Sequence, residues 1–281
     1  MELAALGGSS GAVAERPVKV SFVSDVHGNI DGLARVADHA EQLVVLGDLL
    51  DYVDYHEFGN GILGSVFGAE KVRHFASLRT AGAFADLHDY NRQLWDSLDD
   101  AAGVLAEVVD ARYREVLQAV GPGALLILGN VDVAAAWENA VGAQLPNRDG
   151  QVVELAGLRF GFVAGGSGRP GFPLRRSDHV WRPMIRSADE YRAVTAGLGT
   201  VDVLCAHLPP DLALLRYDRV PGRMEMYGPG LLEAIDLHSP RYAVFGHVHQ
   251  PLARRTRRGR TECVNVGHFQ RDPSAFVIEL P

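Results

Sequence analysis

Five short runs of apolar, largely β-branched residues recur along the chain, each followed by a polar or glycine-containing signal. They are Val18 to Val23 before Ser24-Asp25, Leu43 to Leu46 before Gly47-Asp48, and Leu125 to Leu128 before Gly129-Asn130. Two more are Val201 to Cys205 before Ala206-His207, and Tyr242 to Phe245 before Gly246-His247. Apolar runs of about 4 to 6 residues bounded by turn signals predict buried strands. Between them the spacing predicts helices over Asn29 to His39, about Asp86 to Val120, Val133 to Val141 and Ala188 to Leu198. Strands alternating with helices predict an α/β layered sheet, with ligands gathering at the carboxyl ends of the strands. A second set comprises Gln151 to Leu155 with Leu158 to Val163, Leu252 to Arg257 with Arg260 to Val266, and Ala275 to Leu280. These predict hairpins and edges of a second sheet packed on the first, with turns at Ala156-Gly157 and Arg258-Gly259.

Asp51 to about Ala85 breaks this pattern. It is glycine-rich and aromatic (Tyr52, Tyr55, Phe58, Phe67, Phe75) with no clear period, which predicts a long loop serving as a lid or binding loop, an insert that selects the substrate. No internal repeat or Pro/Ser-rich linker divides the chain, so the expected organisation is a flexible leader over 1–17 and a single domain over 18–281 carrying the insert at about 51–85. The 281 residues are 47% hydrophobic and 22% charged, ordinary globular proportions that exclude disordered and fibrous classes. No run approaches the roughly 20 uncharged apolar residues of a membrane span, and Met1 to Pro17 lacks the basic start and apolar block of a secretory signal. With only Cys205 and Cys263, and no Cys-x-x-Cys spacing, a reducing cytoplasm is expected. A net charge of −8, from 27 basic and 35 acidic residues, counts against a nucleic-acid partner.

The chemistry gathers at the ends of the five runs. Asp25-Val26-His27 places two ligand-type side chains at i and i+2, which project to the same side of an extended strand end. Asp48 follows a second run, Asn130 a third and His207 a fourth, and His247-Val248-His249 repeats the i, i+2 device after the fifth. Any one of these alone is an ordinary polar residue; only together do they point to a metal. Two Asp, one Asn and four His suit Mn, Fe or Zn rather than an all-thiolate site or a Ca²⁺ cage.

In order, these blocks read Asp25-Val26-His27, Gly47-Asp48, Gly129-Asn130-Val131-Asp132, His207 and Gly246-His247-Val248-His249. From about Val18 to Val266 the chain thus resembles the calcineurin-like metallophosphoesterase superfamily, whose blocks run D-x-H, G-D, G-N-H-[D/E], H and G-H-x-H. The resemblance implies a four-layer α/β/β/α sandwich with two metal ions at one sheet edge. It implies that Asp25, His27, Asp48 and His249 hold one ion, that Asp48, Asn130, His207 and His247 hold the other, and that Asp48 bridges. It further implies a bridging hydroxide held at Asp48 as the nucleophile. Two divalent ions against two carboxylates leave about +2, which suits a phosphate ester.

One position departs from the family pattern. Val131 stands where many members have a His that stabilises the transition state or protonates the leaving oxygen, and valine transfers no proton. The general acid is therefore unassigned: the chain favours good leaving groups or recruits His56, His88, His179 or His268. A bacterial phosphodiesterase-like subset also lacks that His, which puts a diester or phosphoanhydride on an equal footing with a monoester. The expected function is a metal-dependent phosphoesterase acting on a phosphodiester, nucleotide or related small phosphate ester. A protein phosphatase or nucleoside polyphosphate hydrolase is an alternative, a nuclease would want a basic groove, and a non-catalytic binding scaffold is disfavoured because all seven donors are present. Cys263-Val264-Asn265-Val266-Gly267-His268 departs from the Asn-Pro-Gly-Ser ending of some similar bacterial members, so their substrates do not carry over.

Several residues have two readings. Asp132 orients a ligand or loop, or caps the helix after Val133. Gly28-Asn29 brings backbone near phosphate, or Asn29 caps the next helix. Arg254, Arg255, Arg257, Arg258 and Arg260 make a solvated edge or bind a polyanion. Arg169, Arg175 and Arg176, in a Gly/Pro-rich loop, contact phosphate or simply face solvent. Leu94, Leu98, Val104 and Val108 form a core stripe, and Cys205 is a small buried hydrophobe. Tyr191 and Trp181 carry no assignment.

Overall fold

Successive residues of the first strand end up in different cores: Val20 and Phe22 face one, Val23 the other, because neighbouring side chains on a strand point to opposite faces. The computed structural model describes residues 17–174, 178–216 and 226–280. Its elements run β1 (Val18–Val23), α1 (Ile30–Ala37), β2 (Gln42–Val45), α2 (Gly61–Phe67), α3 (Ala69–Thr80), α4 (Phe84–Asp96), α5 (Ala101–Val120), β3 (Leu125–Leu126) and α6 (Ala134–Ala140). They continue with β4 (Val152–Leu155), β5 (Leu158–Val163), β6 (Gly166–Ser167), β7 (Ile185–Arg186), α7 (Ala188–Gly197) and β8 (Val203–Ala206). Last come α8 (Ala213–Arg216), α9 (Leu231–His238), β9 (Tyr242–Phe245), β10 (Arg255–Arg258), β11 (Thr261–Asn265) and β12 (Phe276–Leu280).

The strands form a sheet in the order β12-β1-β2-β3, a second in the order β10-β11-β9-β8-β5-β4, and a small β6-β7 pair. β1, β2 and β3 are parallel, with β12 antiparallel at the edge. In the second sheet β5, β8, β9 and β11 are parallel, and β4 and β10 are the antiparallel edges. Val20, Phe22 and Val44 of the first sheet pack against Phe160, Phe162, Val203 and Val244 of the second. Leu33 of α1, Val109 and Tyr113 of α5 and Trp137 of α6 cover the outer face of the first sheet. Tyr191 of α7 with Leu231 and Ile235 of α9 cover the outer face of the second. The result is the expected four-layer α/β/β/α sandwich. Cys205 is sealed between the sheets, as a small hydrophobe.

The strands are shared out differently from the sequence expectation. β8 and β9 belong with the hairpins in the second sheet, and β12 pairs with β1 in the first. β8 and β9 are buried on both faces, so their apolar runs carry no mark of which sheet they join. The expected loop over 51–85 is also corrected: it contains α2, α3 and the start of α4, with Val72, Phe75 and Ala76 buried at helical spacing. The single helix expected over Asp86 to Val120 is two, because Asp100 accepts the N–H of Gly103 at 2.9 Å and starts α5 afresh. The stripe is consequently offset: Leu94 is buried, but α5 turns Leu105, Val109, Tyr113 and Val116 inward, while Val104 and Val108 are only partly covered.

Ala156 (φ 48°) and Gly157 (φ 72°) make the β4–β5 turn, a two-residue loop in which both positions need positive φ. The β10–β11 loop falls on Gly259-Arg260, one residue later than expected. β10 is an edge strand, and there Arg255 and Arg257 pair with Glu262 and Arg258 with Asp236. That is the charged edge that blocks strand addition. Among the described residues no helix is long and apolar enough to cross a membrane.

Candidate metal centre

The carboxyl ends of β1, β2 and β3 meet those of β8 and β9 along one edge of the sandwich, so the seven donors named from the sequence come from both sheets. The two sheets are tied there directly. The N–H of His247, after β9, donates to Asp25 Oδ1 and Oδ2 at 3.1 and 3.0 Å, and His207 Nδ1, after β8, donates to the Leu46 carbonyl at 2.8 Å. Asp25, His27, Asp48 and His247 have φ of 59°, 41°, 52° and 69°. This left-handed region costs a non-glycine residue about 1–3 kcal/mol and clusters at functional sites. The i, i+2 pairs therefore sit on sharp turns, not on extended strand. Gly129 is needed for a different reason: a Cβ there would collide with the Asp48 carboxylate and backbone nitrogen.

Two donor groups result. Asp25, His27 and His249 form one and Asp48, His207 and His247 the other, with the candidate atoms of each group within 4.8 Å of one another. Asp48 lies between them: its Oδ1 is 3.4 Å from His207 Nε2 and its Oδ2 is 3.8 Å from His27 Nε2. Asn130 Oδ1 approaches His207 Nε2 at 2.9 Å, which brings the seventh donor to the second group.

The chemistry of these contacts fits cations. A carbonyl can only accept, so His207 Nδ1 carries its proton toward Leu46, and its Nε2 meets two oxygens, Asn130 Oδ1 and Asp48 Oδ1. His27 repeats this, with Nδ1 donating to the Leu50 carbonyl at 3.1 Å and Nε2 facing His249 Nε2 at 3.2 Å. Asp25 Oδ1 is 3.3 Å from His249 Nε2. Carboxylate and amide oxygens crowded around imidazole nitrogens call for positive charge, which a proton on the ring or a metal ion supplies, and backbone carbonyls fixing the other ring nitrogen are the usual support of metal-binding imidazoles.

The carboxylates are held ionised in spite of their burial. For Asp25 burial acts to raise the pKa, but the hydrogen bond and charge of His249, with His207 and His27, bring it far below the usual range. For Asp48 burial is likewise outweighed, chiefly by His207, and its pKa falls to about 2. His207 is lifted to about 9, its own burial overcome by Asp48 and Asp25. His247 drops to about 4 through burial and the neighbouring His207 charge.

Asp132 makes no hydrogen bond to the donor side chains and caps no helix, since the N-cap of α6 is Val133, without a side-chain cap. Its fully buried carboxylate accepts the backbone N–H of Leu49 at 3.0 Å, of Leu50 at 3.1 Å and of Gly129 at 2.7 Å. It thereby fastens the loop after Asp48 to the loop before Asn130. Asn29 does cap α1, accepting from Gly32 N at 3.0 Å. Arg169 is exposed, and Arg175 and Arg176 lie outside the described residues.

Above the donors lies a cavity of about 440 Å³. Val131 lines it, as do His56 and His268 of the four histidines named as candidate acids, whereas His88 and His179 do not. His268 stacks on His249 with ring centroids 4.0 Å apart. Sequence reasoning missed Asp51, Gln270, Arg79 and Trp181, which also line the cavity. Gln270 Nε2 donates to the His27 carbonyl at 3.1 Å and to Asp51 Oδ2 at 3.3 Å. Only the aromatic content of the insert hinted at this wall.

A family model described as calcineurin-like phosphoesterase matches residues 18–251. One crystal structure is similar at 16% identity and a TM-score of 0.57, over 95% of this chain and 100% of that one. The crystal structure of TT1561 of Thermus thermophilus is similar at 12% identity and a TM-score of 0.50, over the same shares. Both likenesses concern the fold. No curated protein matches the chain.

Proposed function

We propose that this chain, which belongs to the calcineurin-like phosphoesterase family, is a metal-dependent hydrolase of phosphodiesters, nucleotides or related small phosphate esters. The observation that carries the reading is the pair of donor groups, Asp25, His27 and His249 beside Asp48, His207 and His247, with the candidate atoms of each group within 4.8 Å of one another and Asp48 between them. In this reading Asp25, His27, Asp48 and His249 hold one ion and Asp48, Asn130, His207 and His247 the other. Imidazole, carboxylate and amide donors suit Mn, Fe or Zn. Such a pair supplies Lewis acidity to a phosphoryl oxygen and lowers the pKa of water toward neutrality.

The chain's own residues set the rest. Asp48, with Oδ1 toward His207 and Oδ2 toward His27, would hold both ions, and the N–H of Val131, donating to its Oδ1 at 2.9 Å, fixes that carboxylate. Asp132 holds the backbone on either side. The Val131 side chain faces the cavity and has no proton to give, so the leaving oxygen departs unassisted from that position; His56 and His268 are the histidines placed along the same cavity. The reading includes a reducing compartment, supported by two buried, unbridged cysteines.

The test is metal content of the purified protein, followed by Mn²⁺-dependent hydrolysis of a chromogenic phosphodiester and the matching monoester, with Asp48→Ala as control. About two metals per chain and turnover lost in Asp48→Ala are expected. A protein that binds no metal under these conditions is not the hydrolase proposed.

A further inference from the structure

One wall of the cavity above the donors is aromatic and owes nothing to metal binding. Tyr52 and Trp181 lie side by side, their rings tilted by 38° with centroids 4.5 Å apart. The Tyr52 hydroxyl donates to Asn91 Oδ1 at 2.7 Å and accepts from Trp95 Nε1 at 2.9 Å. The backbone N–H of Trp181 donates to His179 Nδ1 at 3.1 Å. The Tyr52 ring is thus set in place before any ligand arrives, which reduces the ordering cost of binding.

Beside them, the Arg79 guanidinium lies 4.8 Å from the centroid of the Tyr55 ring and donates to its hydroxyl at 2.7 Å. Arg79 is exposed, and among the described residues it has no carboxylate partner. A guanidinium paired only with a phenol keeps N–H groups for a ligand's acceptors. The cavity volume, about 440 Å³, falls in the range of small-molecule sites. A bare phenyl ring offers nothing for Arg79 to bond, and an alkyl or sugar group has no flat face for the rings. A heterocycle with ring nitrogens and carbonyls satisfies both.

We infer that the Tyr52–Trp181 pair with Tyr55 and Arg79 is a nucleobase subsite. On this view, which rests on the phosphoesterase reading for the placement of the phosphate, the substrate is a nucleotide-type ester. Its base lies on the aromatic wall and its phosphate over the donor groups. The insert between β2 and α5 supplies Tyr52, Tyr55 and Arg79, so base recognition is a property of the insert and phosphate recognition a property of the sheet edge.

The two halves can be tested apart. Trp95 and Trp137 are fully buried and Trp181 is half-buried, so all three emit but quenching by a ligand in the cavity acts chiefly on Trp181. In metal-free protein, adenosine is expected to quench that emission and ribose to leave it unchanged. In Mn²⁺-loaded protein, calorimetry is expected to give AMP about tenfold tighter binding than ribose 5-phosphate or phenyl phosphate, the size of one stacked base. Arg79→Ala, at an exposed position, and Trp181→Leu should each erase most of that preference; the first keeps the test valid if the second fails to fold. Equal binding of AMP and ribose 5-phosphate in the metal-loaded protein overturns the subsite and leaves the phosphoesterase reading standing. Phenyl phosphate binding as tightly as AMP overturns the assignment to a nucleobase. Adenosine binding without metal, combined with no gain for AMP from Mn²⁺, overturns the phosphoesterase reading itself and with it the claim that the base belongs to a substrate.

Discussion

The backbone N–H of His247 reaches both carboxylate oxygens of Asp25, 222 residues away, at 3.1 and 3.0 Å. Asp25 is thus a structural acceptor as well as a candidate ligand. An amide at this position offers one acceptor and turns an N–H toward another N–H. Asp25→Asn is expected to lower metal content from about two to one or fewer per chain and to cut phosphodiester hydrolysis by at least about a hundredfold. Elemental analysis with initial rates checks this, and a variant retaining two metals and its rate contradicts the assignment.

Asp132 predicts a change in stability. Three backbone N–H groups converge on its buried carboxylate. In Asp132→Asn an NH₂ replaces one acceptor, and a buried N–H left without a partner costs about 1–3 kcal/mol. The melting temperature of the variant is expected to fall by roughly 5–10 °C. An unchanged melting temperature would show that the two loops hold their shape without it.

Asp51 predicts a pH dependence. Its pKa is raised to about 7, first by burial and then by the charge of Asp54, against the hydrogen bond from Gln270. The folded protein then keeps this proton up to about pH 7, while the unfolded chain releases it near pH 4. Folded protein binds more protons in that window, so stability falls as the pH rises through it and the full cost is present above pH 7. Asp51→Asn removes the cost. In metal-free protein it should stabilise by roughly 1–4 kcal/mol at pH 8 relative to wild type, with little difference at pH 4. Urea denaturation at the two pH values measures the difference, and the opposite sign rejects the account.

Val131 predicts a gain. Its side chain lines the cavity beside Asp48 and Asn130, and a histidine there can protonate a leaving oxygen. Val131→His is expected to raise hydrolysis of an alkyl phosphate, a poor leaving group, by about tenfold or more, and to change a 4-nitrophenyl ester much less. Equal effects on both esters would mean that proton donation is not what the position lacks.

The sequence marked the strand ends well because each carries a short apolar run stopped by a polar residue, and that signal is local. Membership of a sheet is not local: β9 and β1 read alike, and only the pairing of β9 with β8 and β11 separates them. The helices at 61–80 were hidden by Gly61, Gly64 and Gly68, which weaken any helical reading, although Val72, Phe75 and Ala76 carried the spacing. Of the site, the donors were visible because their types are rare together. Gln270, Arg79 and Trp181 were not, since an amide, a cation and an indole far apart in the chain acquire meaning only where folding brings them to one cavity.

The division of the donors between the two sheets has a mechanical consequence. Three strand ends lie on one plate of the sandwich and two on the other, and between the plates themselves the contact is mostly apolar side chain on side chain. Cations seated across that seam would act as rivets. Removing them would loosen the seam rather than a single loop, and amide exchange would quicken first along β2 and β8, on either side of it, before the helices outside.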